Sequence, residues 1–368
     1  MEPSTTGQLL LTGVPGLELD AETARLFRAI QPGGFILFGR NIRAPAQLRK
    51  LIDDLRDLSR VEPIITIDQE GGRVSRLRLI GSEPPNAFQL RMKGDIELIR
   101  RHGSITGRLL RLFGFNLDLC PVLDLSFDDE ADNSLRGRCY GATVAEVVRF
   151  AGAFNDALRG PEGVASCGKH FPGYASAKLD PHHELPVIDR TRAELDAEEL
   201  AVFRHFAPEV DSMMICHASY PSLDPSGTPA SLSQSVVTGL LREEFGFAGL
   251  VMTDDLDMGA ILNHYGLDDT IRLALEAGND LAMICHRLES LQRAKEAVDS
   301  GTPRHVVDRA LKRVAAFKER LAPPAPFSED AFRRIDGEVW DLRVQTLGAE
   351  EAARRSPEDG KRSPVEQY

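Results

Sequence analysis

The chain has 368 residues, of which 42% are hydrophobic, and carries a formal net charge of −12 at neutral pH. That apolar content suffices for a large core, whereas the acidic balance argues against a nucleic-acid partner or an anionic membrane surface, both of which call for a basic patch. No apolar run reaches membrane length, the start Met1–Thr6 lacks the basic and apolar segments of a secretory leader, and the five cysteines (Cys120, Cys139, Cys167, Cys216, Cys285) show no CxxC spacing, so buried thiols and a cytoplasmic protein are expected.

Eight short apolar runs follow one another along the chain: Gln8–Thr12, Gly34–Phe38, Pro63–Ile67, Asn116–Val122, Val164–Gly168, Ser212–Cys216, Gly249–Thr253 and Asp280–Cys285. They are continuous rather than alternating, as strands covered on both faces of a parallel sheet are. The segments between them carry a helical period. Leu48, Leu51, Ile52, Leu55 and Leu58 form one stripe; Val236, Val237, Leu240 and Leu241 form another behind a candidate N-cap, Ser233; Val307, Ala310, Leu311 and Val314 form a third. Eight strand–helix units within about 320 residues predict a closed (β/α)8 TIM barrel. The rival is an open doubly wound sheet, but no GxGxxG follows an early strand.

The connection between the third and fourth runs is long and includes the helical stretch Ile96–Phe113. The barrel domain is read as residues 1–321, closed off by Ala322-Pro323-Pro324-Ala325-Pro326. A C-terminal extension, 322–347, is expected to add a helix over Ser328–Val339, with Trp340 packing back onto the barrel. Residues 348–368 are polar and charged and are expected to be disordered.

A barrel of this kind carries its chemistry at the C-terminal ends of its strands. Polar residues collect there: Asp68-Gln69-Glu70-Gly71-Gly72-Arg73 after the third run, Asp124 and Arg138 after the fourth, Lys169-His170 after the fifth. His217 follows the sixth, Asp254-Asp255-Leu256-Asp257 the seventh and His286 the eighth. Beyond the fifth run, Lys169-His170-Phe171-Pro172-Gly173 leads to Asp180-Pro181-His182, an Asp-x-His pair suited to moving a proton.

These residues carry a resemblance. Gly33–Phe38, Asp68–Val74, Lys169–Gly173 with Asp180-x-His182, Pro229–Ser233 and Thr253–Met258, in order on successive strands, make the chain similar to the glycoside hydrolase family 3 β-N-acetylglucosaminidases of the cell-wall-recycling type, over roughly residues 7–320. The resemblance implies a retaining two-step glycosidase needing neither cofactor nor metal. Asp254 is then the nucleophile, with capping of the next helix as the plainer alternative for Asp254 or Asp255. His182, paired with Asp180, is the acid/base. Asp68, Arg76, Arg138, Lys169 and His170 hold sugar hydroxyls, the alternative being ion pairs among themselves, such as Asp68 with Arg76 or Lys169. Glu70 and Arg73 brace the loop.

The expected substrate is a small carbohydrate, a GlcNAc-containing glycan or muropeptide, with a monomer favoured and phosphate a possible replacement for water in the second step. A β-glucosidase or β-xylosidase of the same superfamily takes its acid/base from a following domain, for which the chain looks too short; a non-catalytic sugar-binding barrel would be expected to lack Asp254 or His182. The chain departs from the family pattern at Tyr174-Ala175, Ser176-Ala177 and Pro181. Alanine and proline restrict the backbone there, which bears on the mobility of the segment and on leaving-group preference.

Overall fold

A computed structural model describes residues 5–130, 133–176 and 185–356. Its centre is a closed ring of parallel strands: β1 (Leu10–Gly13), β2 (Gly34–Leu37), β3 (Ile64–Ile67), β4 (Leu117–Asp118), β5 (Ala165–Phe171), β6 (Ser212–Ile215), β7 (Leu250–Asp255) and β8 (Leu281–Ile284). Each strand pairs with its neighbours in sequence, and β1 pairs with β8 to close the barrel. Register pairs Leu11 with Gly34 and Met283, Ile67 with Asp118, and Ser212 with Leu250 and Cys167. The predicted barrel is therefore present, and the open sheet is not.

The strands are short and buried along almost their whole length, which is why their sequences read as unbroken apolar runs. Two differ from the sequence reading. The fourth run yields only Leu117–Asp118 plus a bridge from Val122 to Lys169, because Pro121 between them has no N–H to give the ladder. The fifth strand runs on to Phe171, so Lys169 and His170 stand on the strand itself.

The surrounding helices end where their sequences say. Asp20 accepts from the backbone N–H of Glu22 and Thr23, Thr143 from Glu146, and Gly114 and Gly278 close their helices with positive φ. Leu48, Leu51, Ile52, Leu55 and Leu58 are the buried face of the helix Pro45–Leu58. Ser233 Oγ accepts from Val236 N, as predicted, although the helix it opens, Ser235–Glu244, is wound as a π-helix. All five cysteines are free and buried.

The long β3–β4 connection contains an element the sequence reading lacked, an antiparallel ribbon of Gln69–Gly71 with Val74–Ser75. Its turn needs glycine: Gly71 has φ 111° and Gly72 φ 55°, and a Cβ on Gly71 would come within 2.3 Å of the Pro85 carbonyl oxygen. A 3-10 turn, Arg76–Leu79, and the helices Ala87–Lys93 and Ile96–Phe113 follow.

The C-terminal extension also differs. Its helix spans Glu329–Leu347, with Ser328 as N-cap. Trp340 is not part of the buried core; it is 41% exposed. Val339, Leu342 and Thr346 share one helical face and take the buried side, leaving position 340 turned about 100° away. Order continues past Gly348, through the helix Ala349–Ala352 to Ser356. Among the described residues no helix is long and apolar enough to cross a membrane.

Candidate active site

The strand ends bring six of the predicted residues to one cavity at the barrel mouth: Asp68, Arg76, Arg138, Lys169, His170 and Asp254. The other two, Asp180 and His182, lie outside the described residues. The set comes from segments far apart in sequence, which the ring of strands and the loops leaving it make neighbours.

On the β3–β5 side the polar groups form a charge web. Lys169 Nζ donates to Asp68 Oδ1 at 2.7 Å and pairs with Glu70 Oε1 at 2.6 Å. Arg138 forks onto Glu70, Nε to Oε2 at 2.8 Å and Nη2 to Oε1 at 2.7 Å, and its Nη1 donates to the Ser134 carbonyl at 3.1 Å. Arg76 stands 3.6 Å from Asp68 Oδ2. Burial opposes charge on Glu70, but Arg138 and Lys169 outweigh it and hold the carboxyl well below the usual range. Burial likewise opposes charge on Lys169, and Asp68 with Glu70 overcomes it, keeping the ammonium protonated. The ion pairs offered as the plainer alternative thus exist, yet Asp68, Arg76 and Lys169 also line the open cavity. Glu70 does not; rather than bracing the loop with Arg73 as expected, it pairs with the cations Arg138 and Lys169, while Arg73 Nη2 donates to the Ser134 carbonyl at 2.8 Å.

His170 is fixed by a residue the sequence reading noted only in passing. Asp124 Oδ2 accepts from the His170 backbone N–H at 3.0 Å and lies 2.7 Å from Nδ1, while Oδ1 accepts from Tyr174 N at 3.0 Å. Asp124 therefore sets the imidazole with Nδ1–H toward the carboxylate and Nε2 facing Arg138 Nη2 at 3.5 Å. Tyr174, one of the departures from the family pattern, is buried against His170 with ring centroids 4.8 Å apart and lines the cavity.

On the opposite side of the ring β7 and the turn after it deliver three carboxylates, Asp254, Asp255 and Asp257. Asp254, at the end of the strand, is partly exposed in the cavity and caps its neighbour's backbone, Oδ1 accepting from Asp255 N at 2.8 Å. The capping of the next helix offered as the plainer alternative is not seen: the helix Gly259–Leu262 has Met258 at its N-cap with no side-chain cap bond, and the bond from Asp255 N is local to the strand end. Asp255 is a staple: Oδ1 accepts from Asp257 N at 3.0 Å and Cys285 N at 3.1 Å, and Oδ2 lies 3.3 Å from His286 Nε2. Burial, then Asp257 and Asp254, push its carboxyl up to about 8. His217 is buried, with Nε2 donating to the Asp255 carbonyl at 2.9 Å and Nδ1 accepting from Ser231 Oγ at 2.8 Å. This pairing explains the serine within Pro229–Ser233: it orients the imidazole that holds the β7 end.

Asp255, Cys285 and His286 offer donor atoms within 4.8 Å of one another, a spacing suited to a metal ion. The protonation pattern argues otherwise. Arg40 Nη1 lies 2.9 Å from His286 Nδ1 and can only donate, which leaves the ring proton on Nε2, facing Asp255. Burial also pushes the Cys285 thiol well above its ordinary range. The trio fits a hydrogen-bonded cluster better than a ligand set.

Against this geometry stand the comparisons. The glycosyl hydrolase family 3 N-terminal domain matches residues 4–317. The chain belongs to glycoside hydrolase family 3. Similar proteins include a β-hexosaminidase from Vibrio cholerae, 36% identical over 292 residues and covering 78% of this chain and 84% of that protein. A β-hexosaminidase from Thiobacillus denitrificans is 32% identical, covering 89% and 96%. Among solved structures, a glycoside hydrolase family 3 β-N-acetylglucosaminidase from Paenibacillus sp. str. FPU-7 superposes with a TM-score of 0.83 at 34% identity, covering 93% of this chain and 68% of that one. The family 3 resemblance read from the motifs is thereby confirmed, as is the barrel that carries it.

Proposed function

We propose that this family 3 chain is a retaining exo-β-N-acetylglucosaminidase that removes terminal non-reducing β-linked GlcNAc, with peptidoglycan-derived fragments as its substrates. Asp254 attacks the anomeric carbon and forms a covalent glycosyl-enzyme; water, or phosphate, then releases the sugar. His182, paired with Asp180, donates a proton to the leaving oxygen and later withdraws one from the incoming nucleophile. Asp68, Arg76, Arg138, Lys169 and His170 hold the ring hydroxyls. Their side chains are already paired and oriented, so little reorganisation is needed when sugar arrives. The chemistry calls on side chains and water alone. A monomer acting in the cytoplasm, where free thiols persist, completes the reading.

The observation that carries this reading is the shared cavity: Asp254 lines it together with the charged groups Asp68, Arg76, Arg138 and Lys169 at the barrel mouth. The names of the relatives favour the N-acetylated sugar. The test compares 4-nitrophenyl β-GlcNAc with the corresponding glucoside and xyloside. Preference for GlcNAc is expected; faster turnover of either other sugar transfers the chain to the β-glucosidase or β-xylosidase reading. In the same assay His182→Ala slows poor leaving groups far more than 4-nitrophenol, and equal losses remove His182 as proton donor. Added phosphate yields sugar 1-phosphate if phosphorolysis competes; its absence leaves hydrolysis alone.

A further inference from the structure

Arg76 reaches the cavity from the 3-10 turn Arg76–Leu79, and that turn is held from behind by the C-terminal extension. The link is Glu83, a buried carboxylate with a side chain only 1% exposed. Its Oε2 accepts from Arg78 Nη1 at 3.0 Å, two residues along the turn from Arg76. Its Oε1 pairs with Arg343 Nη1 at 2.9 Å and accepts from Ser356 Oγ at 2.7 Å and Ser356 N at 3.1 Å. Arg343 is itself buried and donates through Nε to the Ala352 carbonyl at 3.0 Å and through Nη1 to the Glu83 carbonyl at 3.3 Å. One carboxylate thus ties the active-site turn to a helix and a tail more than 250 residues away in sequence.

The neighbouring contacts repeat the pattern. Asp336, on the helix Glu329–Leu347, accepts from Ser82 N at 2.6 Å and from Ser82 Oγ at 3.2 Å. A Cβ on Gly81 would come within 2.4 Å of Asp336 Oδ1, so the two segments touch without slack. The Pro84 carbonyl accepts from Gly72 N at 2.9 Å, passing the contact on to the ribbon that follows Asp68. The helix itself is anchored to Ile96–Phe113 by Arg108 on Glu338. The extension's side of these contacts, from Asp336 to Ser356, lies beyond residue 317, where the family match ends.

We propose that the extension Glu329–Ser356 is part of the substrate-binding machinery: through the Arg343–Glu83–Arg78 ion triad it positions Arg76 for the sugar. Two buried guanidiniums sharing one carboxylate, with backbone carbonyls taking further N–H groups of Arg343, are restricted to few arrangements, and a short 3-10 turn transmits that restriction over two residues. Arg343 and Asp336 are positioning residues, acting through Glu83 and Ser82. The link to catalysis rests on the proposed role of Arg76 in holding sugar; the link to the turn does not.

The test uses the full chain with Arg343→Met, and separately the milder Asp336→Asn. Two readouts are taken: amide hydrogen exchange across residues 74–80, and KM with kcat on 4-nitrophenyl β-GlcNAc. Exchange at the turn should quicken about tenfold or more. KM should rise about five- to tenfold, the loss expected for one weakened hydrogen-bonding group, with kcat within about twofold. Unchanged exchange at 74–80 overturns the brace whatever happens to KM. Faster exchange with an unchanged KM overturns the positioning of Arg76. If Arg343→Met does not fold, Arg343→Lys, which keeps the charge but loses the Nε bond to the Ala352 carbonyl, decides on the same criteria. A wild-type chain that ignores GlcNAc sinks the proposed activity instead, and the exchange readout still judges the brace.

Discussion

His102 offers the sharpest quantitative check on the packing behind the active-site ribbon. It sits on the helix Ile96–Phe113, fully buried, with neither ring nitrogen hydrogen-bonded among the described residues. Phe154 packs on one side, with ring centroids 5.1 Å apart, and Gly71 of the ribbon approaches Cε1 on another. Burial alone lowers its pKa from 6.5 to about 4. Between those values the unfolded chain binds a proton that the folded chain refuses, so stability falls as pH drops from about 6.5 toward 4 and is fully present above that window. Linkage with these two values gives a loss of about 2 kcal/mol by pH 5 and about 3 kcal/mol by pH 4. Replacing His102 by Leu removes the proton site. The variant's stability relative to wild type, measured by urea unfolding from pH 7.5 to 4.5, should therefore improve as pH falls, by about 2 kcal/mol at pH 5. The offset at pH 7.5 reports packing only and is free to take either sign. A difference that stays flat with pH would show that the imidazole finds a partner or water, and would refute the reasoning.

Further predictions concern the cavity. Asp254→Asn should lower kcat by about ten-thousandfold and abolish covalent labelling by a slow fluorinated substrate; labelling of another carboxylate transfers the nucleophile to that residue. Glu70→Gln strips Arg138 and Lys169 of a shared partner and should cost about 3–5 kcal/mol in chemical unfolding; a change under about 1 kcal/mol would mean that solvent already compensates the cations. Asp124→Asn should cut kcat/KM by about 10- to 100-fold by releasing His170, and unchanged kinetics would place His170 outside the substrate contacts.

The barrel was legible because its strands are buried on both faces and so leave continuous apolar runs. The candidate site was legible because polar residues interrupt those runs only at one end. Asp68, Lys169 and Asp254 could be singled out in this way without knowing which neighbour each would meet. Partner choice was not legible. That Asp124 would hold His170, or that Arg40 would reach His286, depends on strands brought together by ring closure, and contacts across such distances leave no periodic mark. The Gly71-Gly72 pair did carry a turn signal, and the ribbon Gln69–Ser75 could have been read from it. The end of the extension misled because its composition is polar: Gly348–Ser356 is held by Arg343 and Glu83, buried ions that hydrophobic patterning does not register, and the rest of the tail, 357–368, lies outside the described residues. Trp340 misled for the opposite reason, since a single large aromatic says nothing about which way its helix faces.

The split between the two walls of the cavity has an electrical meaning. The β3–β5 wall holds Arg76, Arg138 and Lys169 against two carboxylates, Asp68 and Glu70, whereas the β7 end and the turn after it offer Asp254 and Asp257, beside an Asp255 whose raised pKa favours its neutral form, with no lysine or arginine among the lining residues there. A neutral sugar laid across such a gradient is oriented before any bond changes, and positive charge growing at its anomeric carbon grows toward the acidic wall. Iminosugars protonated at that ring position should accordingly outbind their uncharged analogues.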